Sequence, residues 1–229
     1  MAGRTASKFS RVYIDGYDMS GYSRTAPTLQ WGFNPANWMA IDDPVMGSLP
    51  GQASVGLGTL NGILDNTATS GMHARLSSSD AVRDVMIPIG DRAAPAAGDP
   101  AFCCQVTQNS YQAQPGDGMV TVTIDLGDWD ERGDSKAYPL PWGYLLHAKG
   151  LASAANTSSG GHDNSSATTA GGYMMYQVFA RSNTGTCTIK VQDSTGGAWS
   201  DVGGLTTSIA DTSASSAGLV AATSTSEQI

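Results

Sequence analysis

The chain has 229 residues, enough for one sizeable β unit or two small ones. Only 14% of residues are charged and 28 are glycine; this Gly/Ser/Thr-rich composition argues against a helical bundle, and recurrent apolar runs argue against disorder throughout. The formal net charge is −8 and the 12 Lys and Arg are scattered, which speaks against a grip on nucleic acid but suits a surface that must not stick to DNA.

Residues 1–8 read as a polar, basic arm with no apolar run behind it, so no signal peptide is expected. Phe9–Asp15 alternates as a first strand. Asp15–Thr25, "DGYDMSGYSRT", then reads as turn chemistry: Gly16 and Gly21 supply positive φ, and Tyr17 and Tyr22 pack back on the sheet. Leu29–Phe33 is a second strand. Asn34–Gln52 holds three Pro and two Gly among apolar residues and is expected to be irregular. Its Trp38, Met39, Ile41, Val45, Met46 and Leu49 are costly to leave in water, so the segment is expected to pack on its own domain or on a neighbour.

Ala53–Asp65 reads as one strand with glycines at close-approach positions. Ser70–Ser78 predicts a short helix with Ser70 as N-cap. Further strands are expected at Val85–Ile89, Phe102–Ser110, Met119–Leu126, Trp142–Ala148, Tyr173–Arg181, Thr186–Gln192 and Trp199–Val202, with Ala113–Gly118 a turn. Gly150–Gly172 is a low-complexity polar loop, and the tail from Thr206 has one apolar patch at Gly218–Ala222. About ten strands, long loops, one short helix and no βαβ alternation predict an all-β sandwich or barrel. The division expected is 1–126 as an N-terminal β-sandwich, 127–141 as an acidic connection, and 142–229 as a C-terminal β region within the same domain or beside it.

Chemistry-bearing patterns are weak. Adjacent Cys103 and Cys104 would point to opposite faces of a strand, and with Cys187 they make neither a disulfide framework nor a zinc set. The acidic run Asp125, Asp128, Asp130, Glu131, Asp134 fails the calcium-loop template, because Arg132 stands where an oxygen ligand is wanted. His73, His147 and His162 lack metal-ligand spacing, and no nucleophile elbow or phosphate loop occurs. No catalytic residue, metal or cofactor is therefore assigned, and the chain is read as a non-enzyme. No apolar run is long enough for a membrane span. Trp31, Trp142 and Trp199 fall on strands and read as core; Trp38 and Trp129 fall in loops, where Trp favours contacts.

The opening "VYIDGYDMSGY", then Asp42-Asp43, "GSLPG" and the glycine-spaced "QASVGLGTLNGILDN", resembles the start of phage major tail tube proteins of the siphophage type. Tyr176–Gly204, "YQVFARSNTGTCTIKVQDSTGGAWSDVGG", resembles their C-terminal portion. The two stretches cover about a third of the chain, and unlike the family it ends at Glu227-Gln228-Ile229 without a further strand after the Ser/Thr/Ala-rich stretch. The resemblance implies a virion structural protein, assembled in the host cytoplasm, whose hexameric rings stack into a tail tube that conducts double-stranded DNA. Its partners would be other copies of itself, a tape measure protein, and tail terminator or baseplate proteins. Within that reading the inter-ring contact is expected at Trp38, Met39, Ile41, Val45 and Leu49. The alternative is a virion decoration or adhesin module that binds a host glycan.

Overall fold

The structure, a computed structural model, describes residues 7–39, 45–79, 81–91, 93–127, 141–150, 172–180, 186–194, 198–209 and 215–222. In chain order the strands are β1 (Tyr13–Ile14), β2 (Tyr17–Asp18), β3 (Ser23–Thr25), β4 (Leu29–Trp38), β5 (Gly47–Leu57), β6 (Thr59–Ile63), β7 (Ala81–Pro88) and β8 (Pro100–Gln108). They continue as β9 (Ser110–Pro115), β10 (Val120–Asp125), β11 (Trp142–Tyr144), β12 (Gly172–Val178), β13 (Cys187–Asp193), β14 (Ser200–Ile209) and β15 (Ser216–Ala222). One helix, α1 (Met72–Leu76), precedes β7.

The chain is all-β, as its composition predicts. Two antiparallel sheets, ordered β11-β8-β7-β1-β2 and β3-β6-β10-β9, enclose the main core. The remaining strands pair as β4-β5, β12-β15 and β13-β14, and among the described residues no barrel closes. Ile14, Met19, Leu60, Met72, Phe102, Ile124 and Leu126 are fully buried at the centre.

The first sheet is apolar on both faces. Ile14, Val85, Ile87, Phe102 and Cys104 point into the main core. The alternating Tyr13, Met86 and Cys103 point the other way, where Leu145, Met175 and Phe179 cover them. The two cysteines therefore do face opposite sides. Burial raises both thiols, Cys103 to about 12. Tyr13 meets Phe179 edge-on at 4.9 Å, and burial lifts its phenol to about 12.

The Asp15-Gly16 dipeptide closes the β1–β2 hairpin, with φ of 52° and 79° at the two turn residues. That is the pair of left-handed residues a tight two-residue hairpin needs. Gly21 is not left-handed; the second turn is held by Tyr22 N and Ser23 N donating to Met19 O. Tyr17 and Tyr22 pack on the core as expected. The turn also carries a buried polar knot. Arg83 donates to Asp15 Oδ2 (2.9 Å), Gln108 Oε1 (2.9 Å) and Ser78 O (3.0 Å), while Asp84 N donates to Asp15 Oδ1. Gln177 on β12 joins it: its amide donates to Asp84 O and its Oε1 accepts from Gly16 N. The C-terminal strands thus lie on the body at this turn, and β11 is itself a strand of the first sheet. The expected connection at 127–141 falls outside the described residues except for its two ends.

Several boundaries differ from expectation. Ala53–Asp65 is two strands, broken at Gly58 where Thr28 crosses close by; a Cβ there would stand 3.0 Å from Thr28 Cβ. The helix N-cap is Gly71, not Ser70, because His73 N is satisfied by Asp65 O instead of a side-chain cap. β9 runs through Ala113 and Gln114 to Pro115, so the turn starts later. β11 stops at Tyr144, since Leu145 turns to exchange hydrogen bonds with Asp99 and Gly98. The strand expected at Trp199–Val202 is β14, which starts at Ser200 and runs on to Ile209 into the Ser/Thr/Ala-rich tail, and the tail also supplies β15.

Two carboxylates near this knot differ in sign. Burial raises Asp84 above the ordinary carboxylate range, against the opposing hydrogen bond from Gln105. Burial also acts on Asp18, but hydrogen bonds from Lys149 and Ser20 outweigh it and hold it below that range. A raised carboxyl penalises the fold above its folded midpoint and the penalty is relieved as pH falls through it; a lowered one stabilises above the unfolded value and that support is lost as pH falls through its own midpoint. Asp84→Asn is therefore expected to raise stability at pH 7 by under ~1 kcal/mol, with the gain shrinking toward pH 4. Carboxyl NMR titration and melts at several pH values check this; a midpoint for Asp84 below that of Asp18 would contradict it.

Candidate assembly interface

β4 and β5 pair with each other from Leu29↔Leu57 out to Trp38↔Gly47 and, among the described residues, have no third strand. The base of this ribbon belongs to the body: Val55 and Leu57 are buried in the main core and Leu29 packs against it. Leu57 N donates to Gly127 O and Gly58 N to Thr28 O. Further out, a Cβ at Gly32 would meet open space, and one at Gly47 would run into the indole of Trp38.

The expectation that Asn34–Gln52 is irregular is corrected here. Strand pairing continues through Pro35 and Pro50, which stand opposite each other after a register shift between Phe33 and Pro35. A two-stranded ribbon tolerates proline where the missing N–H would have pointed away from the partner. The shift places one extra residue on β5, a bulge, which lets the strands resume pairing.

Neither strand contains a charged residue. Trp38 is 53% exposed, Met39 66%, Val45 75% and Leu49 59%. Four of the five residues singled out from the sequence are thus at the surface, and Ile41 lies outside the described residues. Cross-strand pairing sets Leu49 beside Ala36, on the face that Trp38 also occupies. Trp31 and Phe33, with ring centroids 6.2 Å apart, fall on the opposite face by strand alternation. Each face of the ribbon therefore presents large apolar side chains to solvent.

Trp31, read from the sequence as core, is exposed here, as are Trp142 and Trp199. Trp129 lies outside the described residues. Position on a strand implies burial only where a second sheet covers it, and among the described residues none covers the outer ribbon. Sequence reading missed Trp31 and Phe33 as surface residues; Met46, counted from the sequence among the apolar residues of the segment, is 59% exposed. One signal was available: from Thr25 to Leu64 the only charges are Asp42 and Asp43.

The rest of the surface offers little chemistry. Among the described residues no three His, Cys, Asp or Glu cluster as a metal site would require, and no helix is long and apolar enough to cross a membrane. His73 Nδ1 lies 2.9 Å from Tyr111 OH, and His147 Nδ1 lies 2.7 Å from Ala148 O; His162 is outside the described residues. No protein-family model matches the chain, and no curated protein matches it.

Proposed function

We propose that the chain is a structural protein of a phage tail tube, whose copies assemble into stacked hexameric rings around a conduit for double-stranded DNA. The observation that carries this reading is the charge-free β4–β5 ribbon, rooted in the core and with large apolar side chains exposed on both faces. In a lone molecule such a ribbon is an aggregation liability with two open edges. In a polymer it is a ready contact. The net charge of −8 fits a conduit that lets DNA slide, since a lumen rich in Lys and Arg would hold phosphates. Itself, a tape measure protein and terminator or baseplate proteins are the partners this role entails.

The glycan-binding alternative draws on the exposed aromatics Trp142, Tyr144 and Trp199. Trp142 and Tyr144 are set among Gly143, Leu145 and Leu146, which supply no side-chain hydrogen bonds to sugar hydroxyls, so the tube reading is preferred. Negative-stain electron microscopy with mass photometry of the purified chain tests it. Rings or tubes with a central hole wide enough for a duplex are expected. A monomer at all concentrations that is retained on a glycan array would favour the adhesin reading.

A further inference from the structure

The inference rests on the tube reading and names the surface that receives the ribbon. β8 gives the body two ends. The ribbon is rooted at one: Leu57 N donates to Gly127 O at 3.0 Å, and Gly127 lies against Thr107 O and the Asn109 side chain, where the chain leaves β8. β11 sits at the other end, paired with Pro100, Ala101 and Phe102. From Phe102 to Thr107 an extended strand covers roughly 17 Å.

The β11 end bears a second exposed apolar surface, formed by Trp142, Tyr144 and Leu146. Trp142 is the cross-strand partner of Phe102, and their rings meet edge-on at 5.2 Å and 83°. Because Phe102 is fully buried between the sheets, Trp142 carries the core outward into solvent. Tyr144 shares that face, and Gly143 between them faces the other way, where a Cβ would touch nothing within 4 Å. The result is a ledge with two aromatic side chains on one face and bare backbone on the other. From Pro141 to Ala148 it holds no Asp, Glu, Lys or Arg. The other exposed large apolar residues among those described, Val82, Met119 and Trp199, each stand on a different segment.

We propose that the ribbon of one copy seats on the β11 ledge of the next. The strands β4 and β5 and the ledge from Pro141 to Ala148 hold no Asp, Glu, Lys or Arg, so contact through them strips no ion of its hydration; the charges of the ribbon segment are Asp42 and Asp43, between the two strands in sequence. At ~150–250 Å² for a large aromatic side chain, the seven exposed large apolar residues from Trp31 to Leu49 leave on the order of 800 Å² bare over two faces, so one face offers roughly half of what a partner contributes to a standard stable interface, and repetition of the contact around a ring adds the rest. Donor and acceptor lie at opposite ends of one strand, so the contact is head to tail. It repeats along an axis instead of closing as a two-fold dimer.

Two full-length variants test this. Met46→Asp spoils the ribbon and keeps the ledge; Tyr144→Asp spoils the ledge and keeps the ribbon. Each alone is expected to stop at its smallest species, a subunit or a single ring. A 1:1 mixture is expected to give twice that mass and nothing larger, because only one sound ribbon–ledge contact can form per pair. Far-UV circular dichroism and melts confirm folding, and Leu49→Asp with Leu146→Asp repeats the experiment should either variant misfold. If wild type builds tubes but the mixture gains no mass, or if Tyr144→Asp alone still builds tubes, the ledge is not the receptor and the tube reading stands. If wild type never exceeds a monomer, both are wrong.

Discussion

Trp38→Ala is expected to abolish ring stacking at micromolar protein while moving the melting temperature by less than about 2 °C. The indole is half exposed in the single chain and lies over Gly47, so its removal opens no cavity in the core. A surface truncation of this kind alters folding by about 0.5 kcal/mol or less. Within an interface the same ring would be buried, and a buried Trp anchor contributes about 2–4 kcal/mol. That corresponds to roughly 30- to 1000-fold weaker contact at each link of a repeating assembly. Mass photometry across a concentration series, with electron microscopy, reads the loss directly. Tubes of normal length from a normally folded variant would remove the ribbon from the interface.

Gly16→Ala is expected to destabilise the fold by about 3 kcal/mol, a fall in melting temperature of roughly 6–12 °C. Two costs add. At φ of 79° an alanine is strained, and its methyl would stand 2.8 Å from Val178 O and 2.9 Å from Ser216 N. Both contacts are backbone, so neither can swing aside. The methyl would push β12 and β15 off the turn, where Gln177 and the Ser215–Tyr17 hydrogen bond hold them. Gly21→Ala is the control: it meets nothing within 4 Å and is expected to melt like wild type. Equal melting of the two variants in calorimetry would show that the C-terminal strands do not close over the turn.

The Asp15-Gly16 turn was legible because its signal is local: a left-handed dipeptide between two short apolar runs specifies a hairpin without knowledge of the rest. The opposite faces of Cys103 and Cys104 were legible for the same reason, strand alternation being a property of the backbone. The ribbon was legible only as an apolar segment in need of cover. Pro35 and Pro50 read as breakers one at a time, and it is their pairing across two strands, visible only in three dimensions, that makes them harmless. Trp31, Trp142 and Trp199 misled for a related reason. Trp31 and Trp142 do lie on strands and Trp199 just before β14, but burial depends on what lies opposite, and a single sequence does not say which strands are left without a covering sheet. Gly71 displaced Ser70 as the cap because a backbone carbonyl earlier in the chain, that of Asp65, accepts from His73 N in place of a side-chain cap.

The absence of charge on β4 and β5 has a thermal consequence. A joint made only of apolar surface draws on water's own cohesion, a driving force that fades on cooling and is little screened by dissolved ions. A tube fastened this way would hold its strength across the ionic swings between a cell and its surroundings, and would be at its loosest in the cold.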